Sequence, residues 1–351
     1  MRNSLLWAAL QVVLLLPTAL ASQEEIERIT APGSQVDITL VLRSTTDLDV
    51  LRPIIEAFVL QNPDIAVTYE QWGSNALFEN SLAACAGKVP SASAVFSSGV
   101  HQMIDLVNRA CASAYRSEQT TALPAARRWR DELWGITKEP AVMIYNTDLV
   151  PAKDVPKSRF ALLDLMRRPT SMYRGKIATY NIEASGLGYL FAFMDSLEAS
   201  TFGALLEGFA RTDAVATCCS WEIINRVSRG DYLIAYNVLG SYVDSATFDN
   251  IGVIHPQDYT LFLSRAYMIP KDGPEKQAAA RLLDFMLSTR GQNLLKARNL
   301  FYAETDGATL PESAERGISI EPTLLVAGDK HRRKQFIDLW RSAFAKRDKA
   351  R

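Results

Sequence analysis

Between residues 36 and 107 the chain runs three times through one order: a short apolar run, a polar turn, then apolar residues at helical spacing. Val36–Leu42 (VDITLVL) reads as a buried strand and ends in Arg43-Ser44-Thr45-Thr46-Asp47. Leu48, Leu51, Ile54, Ile55, Phe58 and Val59 then follow the 3.6-residue period of an amphipathic helix. Pro53 within that pattern implies a helix that starts late or bends, because proline has no N–H to give. Ile65–Tyr69 with Gln71-Trp72-Gly73-Ser74 opens the second unit, and Ala94–Phe96 with Ser97-Ser98-Gly99 the third. This repetition predicts an open α/β sheet of short parallel strands. Ligands of such sheets bind beyond the carboxyl ends of the strands, where these three loops fall. A single Ser, Thr or Asp there ordinarily caps a helix; three such loops on one edge predict a cleft.

A fourth stretch, Lys176–Met194 (KIATYNIEASGLGYLFAFM), has the same character. The run Ile177–Tyr180 passes through a polar turn, Asn181–Ser185, into a helix opened by Gly186 and Gly188. A helix start has backbone N–H groups without intrahelical partners and the positive end of the helix dipole, which suits an acceptor-rich ligand. A plain capped helix is the ordinary meaning of such a turn taken alone.

Residues 1–21 are set apart. Arg2, the apolar run Leu5–Leu16, Pro17 and Ala19-Leu20-Ala21 have the order of a secretory signal peptide cleaved after Ala21. The remainder is long enough for two lobes. Its charge is nearly balanced, 38 Lys plus Arg against 39 Asp plus Glu over the whole chain, and gives no reason to expect nucleic acid or an anionic membrane. Export permits disulfides. Cys85 and Cys111 fall on helices after consecutive strands and are expected to pair, whereas the adjacent Cys218 and Cys219 stand as buried thiols or a second bridge. No CxxC pair or Cys/His cluster of zinc spacing occurs, so no metal or other cofactor is assigned. Asp47, Glu70 and Glu139 are scattered carboxylates without a base, nucleophile or metal partner, so no catalytic residue is assigned.

Further along, Trp134-Gly135-Ile136, Pro140-Ala141-Val142 and Tyr145-Asn146 read as a strand crossing between lobes. Tyr232–Val238, Ile251–His255 and Leu261–Ile269 read as strands, and helices are expected near Phe160–Arg167, Phe202–Phe209, Trp221–Ser228, Glu275–Ser288 and Arg332–Ala345. Ser185-Gly186-Leu187-Gly188-Tyr189, Gly230-Asp231-Tyr232 with Tyr236-Asn237, Tyr267–Pro274 (YMIPKDGP), Phe285–Ser288 and Gly291-Gln292 complete the set. In this order the pieces resemble the periplasmic solute-binding proteins of ABC importers, over about residues 36 to 300. The branch they most resemble is the ferric-iron and phosphosugar group. Ferric binders of that group carry two adjacent tyrosines beyond the Asn of the second-lobe strand. Here Asn237 is followed by Val238-Leu239-Gly240-Ser241-Tyr242, without that pair.

The resemblance implies an α/β fold of two lobes, each a mostly parallel open sheet flanked by helices, joined by two crossing strands. It implies a first lobe over 36–138, a second over 139–261, and a return to the first over 262–351. The implied function is not enzymatic. A periplasmic monomer captures a small polar or anionic organic solute between its lobes and delivers it to an ABC permease. Two alternatives stay open: a ligand sensor for a membrane histidine kinase, and a ferric-iron carrier. The ligand-binding residues expected in the first lobe are Ser44, Thr45, Trp72, Ser97 and Ser98. Those expected in the second are Tyr180, Ser185, Gly186, Asn237 and Tyr242.

Overall fold

The computed structural model describes residues 26–168, 172–198, 200–243, 247–302 and 310–344; the leader read at 1–21 lies outside them. Strands β1 (Ile26–Ile29), β2 (Ile38–Ser44), β3 (Ile65–Gln71) and β4 (Ala94–Ser97) alternate with helices α1 (Leu48–Gln61), α2 (Ser74–Cys85) and α3 (Val100–Asn108). β2 pairs in parallel with β3 and β4, so the three repeats of the sequence lie side by side. After α4 (Glu118–Ala122), the hairpin of β5 (Arg128–Trp129) and β6 (Leu133–Gly135) extends this sheet.

The chain then crosses through Ile136-Thr137-Lys138 to β7 (Glu139–Asn146) of a second sheet. There follow α5 (Arg159–Arg167), β8 (Ile177–Tyr180), α6 (Gly186–Glu198), α7 (Phe202–Arg211), β9 (Val215–Thr217), α8 (Ser220–Ser228), β10 (Ile234–Leu239), β11 (Ile251–Ile254) and β12 (Thr260–Leu263). Ser264-Arg265 leads back to β13 (Ala266–Met268), which enters the first sheet between β4 and β6. Helices α9 (Lys276–Leu287) and α10 (Thr289–Ala297) then pack on α1. Last come β14 (Glu315–Gly317), α11 (Leu325–Gly328) and α12 (Lys330–Phe344). The sheet orders are β1-β3-β2-β4-β13-β6-β5 and β14-β12-β7-β10-β8-β9, with β11 also on β7.

Four expectations need correction. The sheets are mixed rather than mostly parallel: β2/β3, β2/β4, β8/β10, β8/β9 and β12/β14 are parallel, and the other pairings, which include both crossing strands, are antiparallel. The run Leu261–Ile269 is two strands in two sheets, because Arg265 breaks it. The tail does not return whole to the first sheet: β14 pairs with β12, and α12 packs on α7. Finally, α1 starts at Leu48 with Pro53 inside it, and the Asp49 carbonyl that Pro53 cannot reach accepts from Arg298 Nη2 at 3.2 Å. The expected bridge between Cys85 and Cys111 is present, with an S–S distance of 2.01 Å, and ties the end of α2 to the segment after α3.

Helix α3 of the first lobe also packs against α6 and α11 of the second, and His101 sits in that contact. Its ring lies 5.3 Å from the Tyr189 ring, and its Nδ1 is buried without a partner. Burial first, and then the charge of Arg333, hold its pKa down from 6.5 to about 3. A base with a depressed pKa costs stability as pH falls, because the unfolded chain takes up a proton that the folded one refuses. Stability contributed by the neutral ring is therefore complete above 6.5 and falls by up to about 1.4 kcal/mol per pH unit on going down towards 3. Urea unfolding at pH 7 and pH 5 is expected to show wild type losing about 2 kcal/mol more than His101→Phe. Equal losses in the two proteins would refute this account of His101.

Candidate functional site

The carboxyl ends of strands from both sheets open on one cleft of about 570 Å³. From the first sheet come Thr45 after β2, Trp72 to Asn75 after β3, and Ser98 after β4. From the second come Tyr180 at the end of β8, Ser185 before α6, Cys218 to Trp221 after β9, and Tyr242 after β10. Arg265, from the second crossing, also lines it. The three loops read from the sequence thus meet at one place.

Thr45 Oγ1 lies 3.0 Å from Ser98 Oγ and accepts from the Ser98 N–H at 2.9 Å, so the two hydroxyls are fixed as a pair. Trp72 is held from behind: its Nε1 donates to Glu70 at 3.2 Å, and the Arg43 guanidinium, itself paired with Glu70 at 2.7 Å, lies 5.5 Å from the ring centre. Tyr180 Oη lies 2.6 Å from Ser220 Oγ and accepts from the Leu239 N–H. Burial pushes the Tyr180 phenol up to about 12, and burial raises that of Tyr242 as well. Both therefore present neutral O–H groups.

At the crossings, Arg265 is 1% exposed and Glu139 is fully buried. Arg265 Nε and Nη2 donate to the two Glu139 oxygens at 2.8 and 3.1 Å, and Nη1 donates to Thr46 Oγ1 at 2.9 Å. Thr137 and Ser241 also donate to Glu139. Burial opposes the guanidinium charge, but Glu139 and Tyr242 outweigh it and hold the Arg265 pKa above its ordinary value. One ion pair therefore ties the first crossing to the second.

Helix starts converge on the cleft. Asp47, Gly73 and Cys219 are the N-cap residues of α1, α2 and α8; all three line the cleft, and none makes a side-chain cap hydrogen bond. The positive ends of three helices face the same space, that of α1 with its first N–H, Leu48, already taken by Gln71 Oε1 at 2.8 Å. The start of α6 is arranged differently from expectation. Gly186 N–H donates to Ser74 Oγ of the first lobe at 2.8 Å, and Gly188 N–H to Ser185 Oγ at 3.0 Å. Asn75 Nδ2 donates to the Glu183 and Ala184 carbonyls at 2.8 and 3.2 Å, and Gln102 Nε2 donates to Asn75 Oδ1 at 2.9 Å. Gly186 itself therefore joins the lobes, while Ala184, Ser185 and Leu187 on either side of it line the cleft. A Cβ at Gly186 would lie 2.7 Å from Gln102 Oε1.

Of the ten residues expected to bind ligand, Thr45, Trp72, Ser98, Tyr180, Ser185 and Tyr242 line the cleft. Ser44 and Ser97 lie behind it, their hydroxyls accepting from the Thr46 and Gly99 N–H groups to shape the loops. Asn237 is 3% exposed and sits at the bulge of β10 with φ +57°. Asn tolerates that left-handed conformation, and its Nδ2 donates to the buried Asp195. The sequence reading missed Arg265, Trp221 and the exposed, bonded Cys218–Cys219 pair. Those cysteines are thus not buried thiols. Among the described residues, Cys218, Cys219 and Glu222 form a grouping of metal-ligand spacing, but the two sulfurs are taken up by their mutual bond.

Residues 54–315 match the family described as bacterial extracellular solute-binding protein. The fold is similar to a substrate-binding protein of an ABC transporter from Agrobacterium tumefaciens, at 27% identity, TM-score 0.85, and coverage of 92% of this chain and 98% of that one. It is also similar to a ferric-binding protein from Campylobacter jejuni (17% identity, TM-score 0.65, 87% and 99% covered) and to the periplasmic binding protein P5PA (17%, 0.66, 87% and 99%). No match was found among curated proteins. At 17% identity the last two likenesses concern the fold alone.

Proposed function

We propose that this chain, which belongs to the bacterial extracellular solute-binding protein family, captures a small, acceptor-rich organic solute between its lobes in the periplasm and presents it to an ABC permease. No bond chemistry is involved, in keeping with a family of binding proteins. The observation that carries the ligand class is the convergence of the α1, α2 and α8 starts on one interlobe cleft, beside the Thr45–Ser98 hydroxyl pair. Helix starts and hydroxyls supply donors to phosphate or carboxylate oxygens. The contacts of Ser74 and Asn75 with the second lobe favour closure of one lobe on the other, which is how such a solute is enclosed.

Ferric iron suits the cleft less well. It demands hard, deprotonated oxygen ligands, and the Tyr180 hydroxyl is already held by Ser220 and the Leu239 N–H. A thermal-shift screen over sugar phosphates, carboxylates, phosphonates, polyamines and iron chelates tests the reading. An acceptor-rich organic compound is expected to raise the melting temperature, by the equivalent of about 2.7 kcal/mol at a hundred times its Kd. Protein that purifies with one bound iron per chain, or that responds to polyamines alone, would overturn it.

A further inference from the structure

The cleft has a second face that donors and hydroxyls do not explain. Cys218 and Cys219 form a disulfide, and both residues are exposed. Trp221, the second residue of α8, is 50% exposed, its ring 5.4 Å from that of Phe248. Trp72 reaches the same space from the opposite lobe, its polar edge already taken up by Glu70. A disulfide has no hydrogen to donate, and its sulfurs are polarizable and make favourable contacts with aromatic ring edges. Two indole faces and a disulfide offer a polarizable surface that suits a flat, apolar ring.

We propose that the Cys218–Cys219 disulfide, with Trp72 and Trp221, forms a wall that receives the flat ring of a ring-bearing anion. The inference rests on the acceptor-rich cleft described above and narrows its ligand class. It also makes the site redox-dependent. Dithiothreitol reduces the bond by passing two electrons and two protons to the two sulfurs and is itself oxidised to its cyclic disulfide. Cys218 Sγ lies 3.3 Å from Glu222 Oε2, so the freed thiol donates to that carboxylate, and reduction turns a wall without hydrogen-bond donors into a polar one.

The test is calorimetric titration of the full mature chain with phenylphosphonate and with methylphosphonate, which share the acceptor end and differ in the ring. Wild type is expected to bind the phenyl compound at least about tenfold more tightly, a ratio that burial of part of a ring supplies. In the Cys218→Ala, Cys219→Ala double variant, in reduced wild type and in Trp221→Ala the ratio is expected to shrink to about threefold or less. Alkylation and mass spectrometry identify which cysteines are reduced, because Cys85–Cys111 is also present. A ratio that persists in the double variant and in reduced protein overturns the proposal. Equal binding of the two compounds by wild type overturns it while leaving the acceptor-rich cleft intact. Binding of neither compound overturns both readings together.

Discussion

Arg265→Leu is expected to lower the stability of the protein by about 3–5 kcal/mol, measured as the urea unfolding free energy, because it removes one partner of a buried ion pair. Glu139 is fully buried, and without Arg265 its carboxylate keeps only the neutral donors Thr137 and Ser241. The double variant Arg265→Leu, Glu139→Leu is expected to recover much of that loss, since replacing a whole buried pair by apolar residues is often neutral or better. The cycle separates the pair from mere packing: equal losses in single and double variants would show that the volume of Arg265, and not the stranded carboxylate, governs the effect. Arg265 also lines the cleft and lies 5.4 Å from the Tyr242 ring, so the single variant should lose ligand affinity as well as stability.

Asp195→Ala is expected to be as costly, again about 3–5 kcal/mol, without involving the cleft. Asp195 is 1% exposed and accepts from Arg159 Nη2 at 3.1 Å, Tyr236 Oη at 2.7 Å and Tyr259 Oη at 2.8 Å, as well as from Asn237. Truncation leaves a fully buried guanidinium with Asp258, at 3.4 Å, as its one remaining charged partner beside the Tyr236 hydroxyl and the Tyr259 carbonyl, and two phenols without their carboxylate acceptor. Burial, and then the Asp195 charge, raise the Tyr236 and Tyr259 pKa values in the wild-type network. Unfolding midpoints of Asp195→Ala and Asp195→Asn give the measure. A loss below about 1 kcal/mol in Asp195→Ala would mean that the network contributes no more than a surface pair does. Affinity of the folded fraction for the screened solute is expected to stay within about threefold of wild type, because Asp195 does not line the cleft.

The parts of the fold that local periodicity encodes were legible. Val36–Leu42, Ile65–Tyr69 and Ala94–Phe96 each announce a strand, and the polar residues after them lie where an α/β sheet puts its ligand edge. Six of the ten residues named from those loops and their second-lobe counterparts line the cleft. What escaped depends on distant partners. Arg265 is one charge in an apolar run, and only the structure shows Glu139 opposite it. Asn237 carried the look of a ligand residue, yet a bulge places it against Asp195. Gly186 had the look of a ligand-facing helix start, but Ser74, 112 residues away in sequence, takes its N–H. The two adjacent cysteines gave no sign of whether they face the core or the cleft, because β9 is only three residues long and partly covered along its length.

The path of the last segment has a consequence for modularity. Because β14 pairs with β12 and α12 packs on α7, the second lobe is woven from two separate stretches of chain. A recombination that exchanged only the stretch between the two crossings would transplant an incomplete body. Tyr189 would lose the Ala327 carbonyl that its hydroxyl meets at 2.8 Å, and Phe202 the Phe336 ring stacked on it at 5.6 Å. Swaps of ligand specificity between relatives of this architecture must therefore carry the carboxyl-terminal helix along with the lobe, as a single inheritable unit in two pieces.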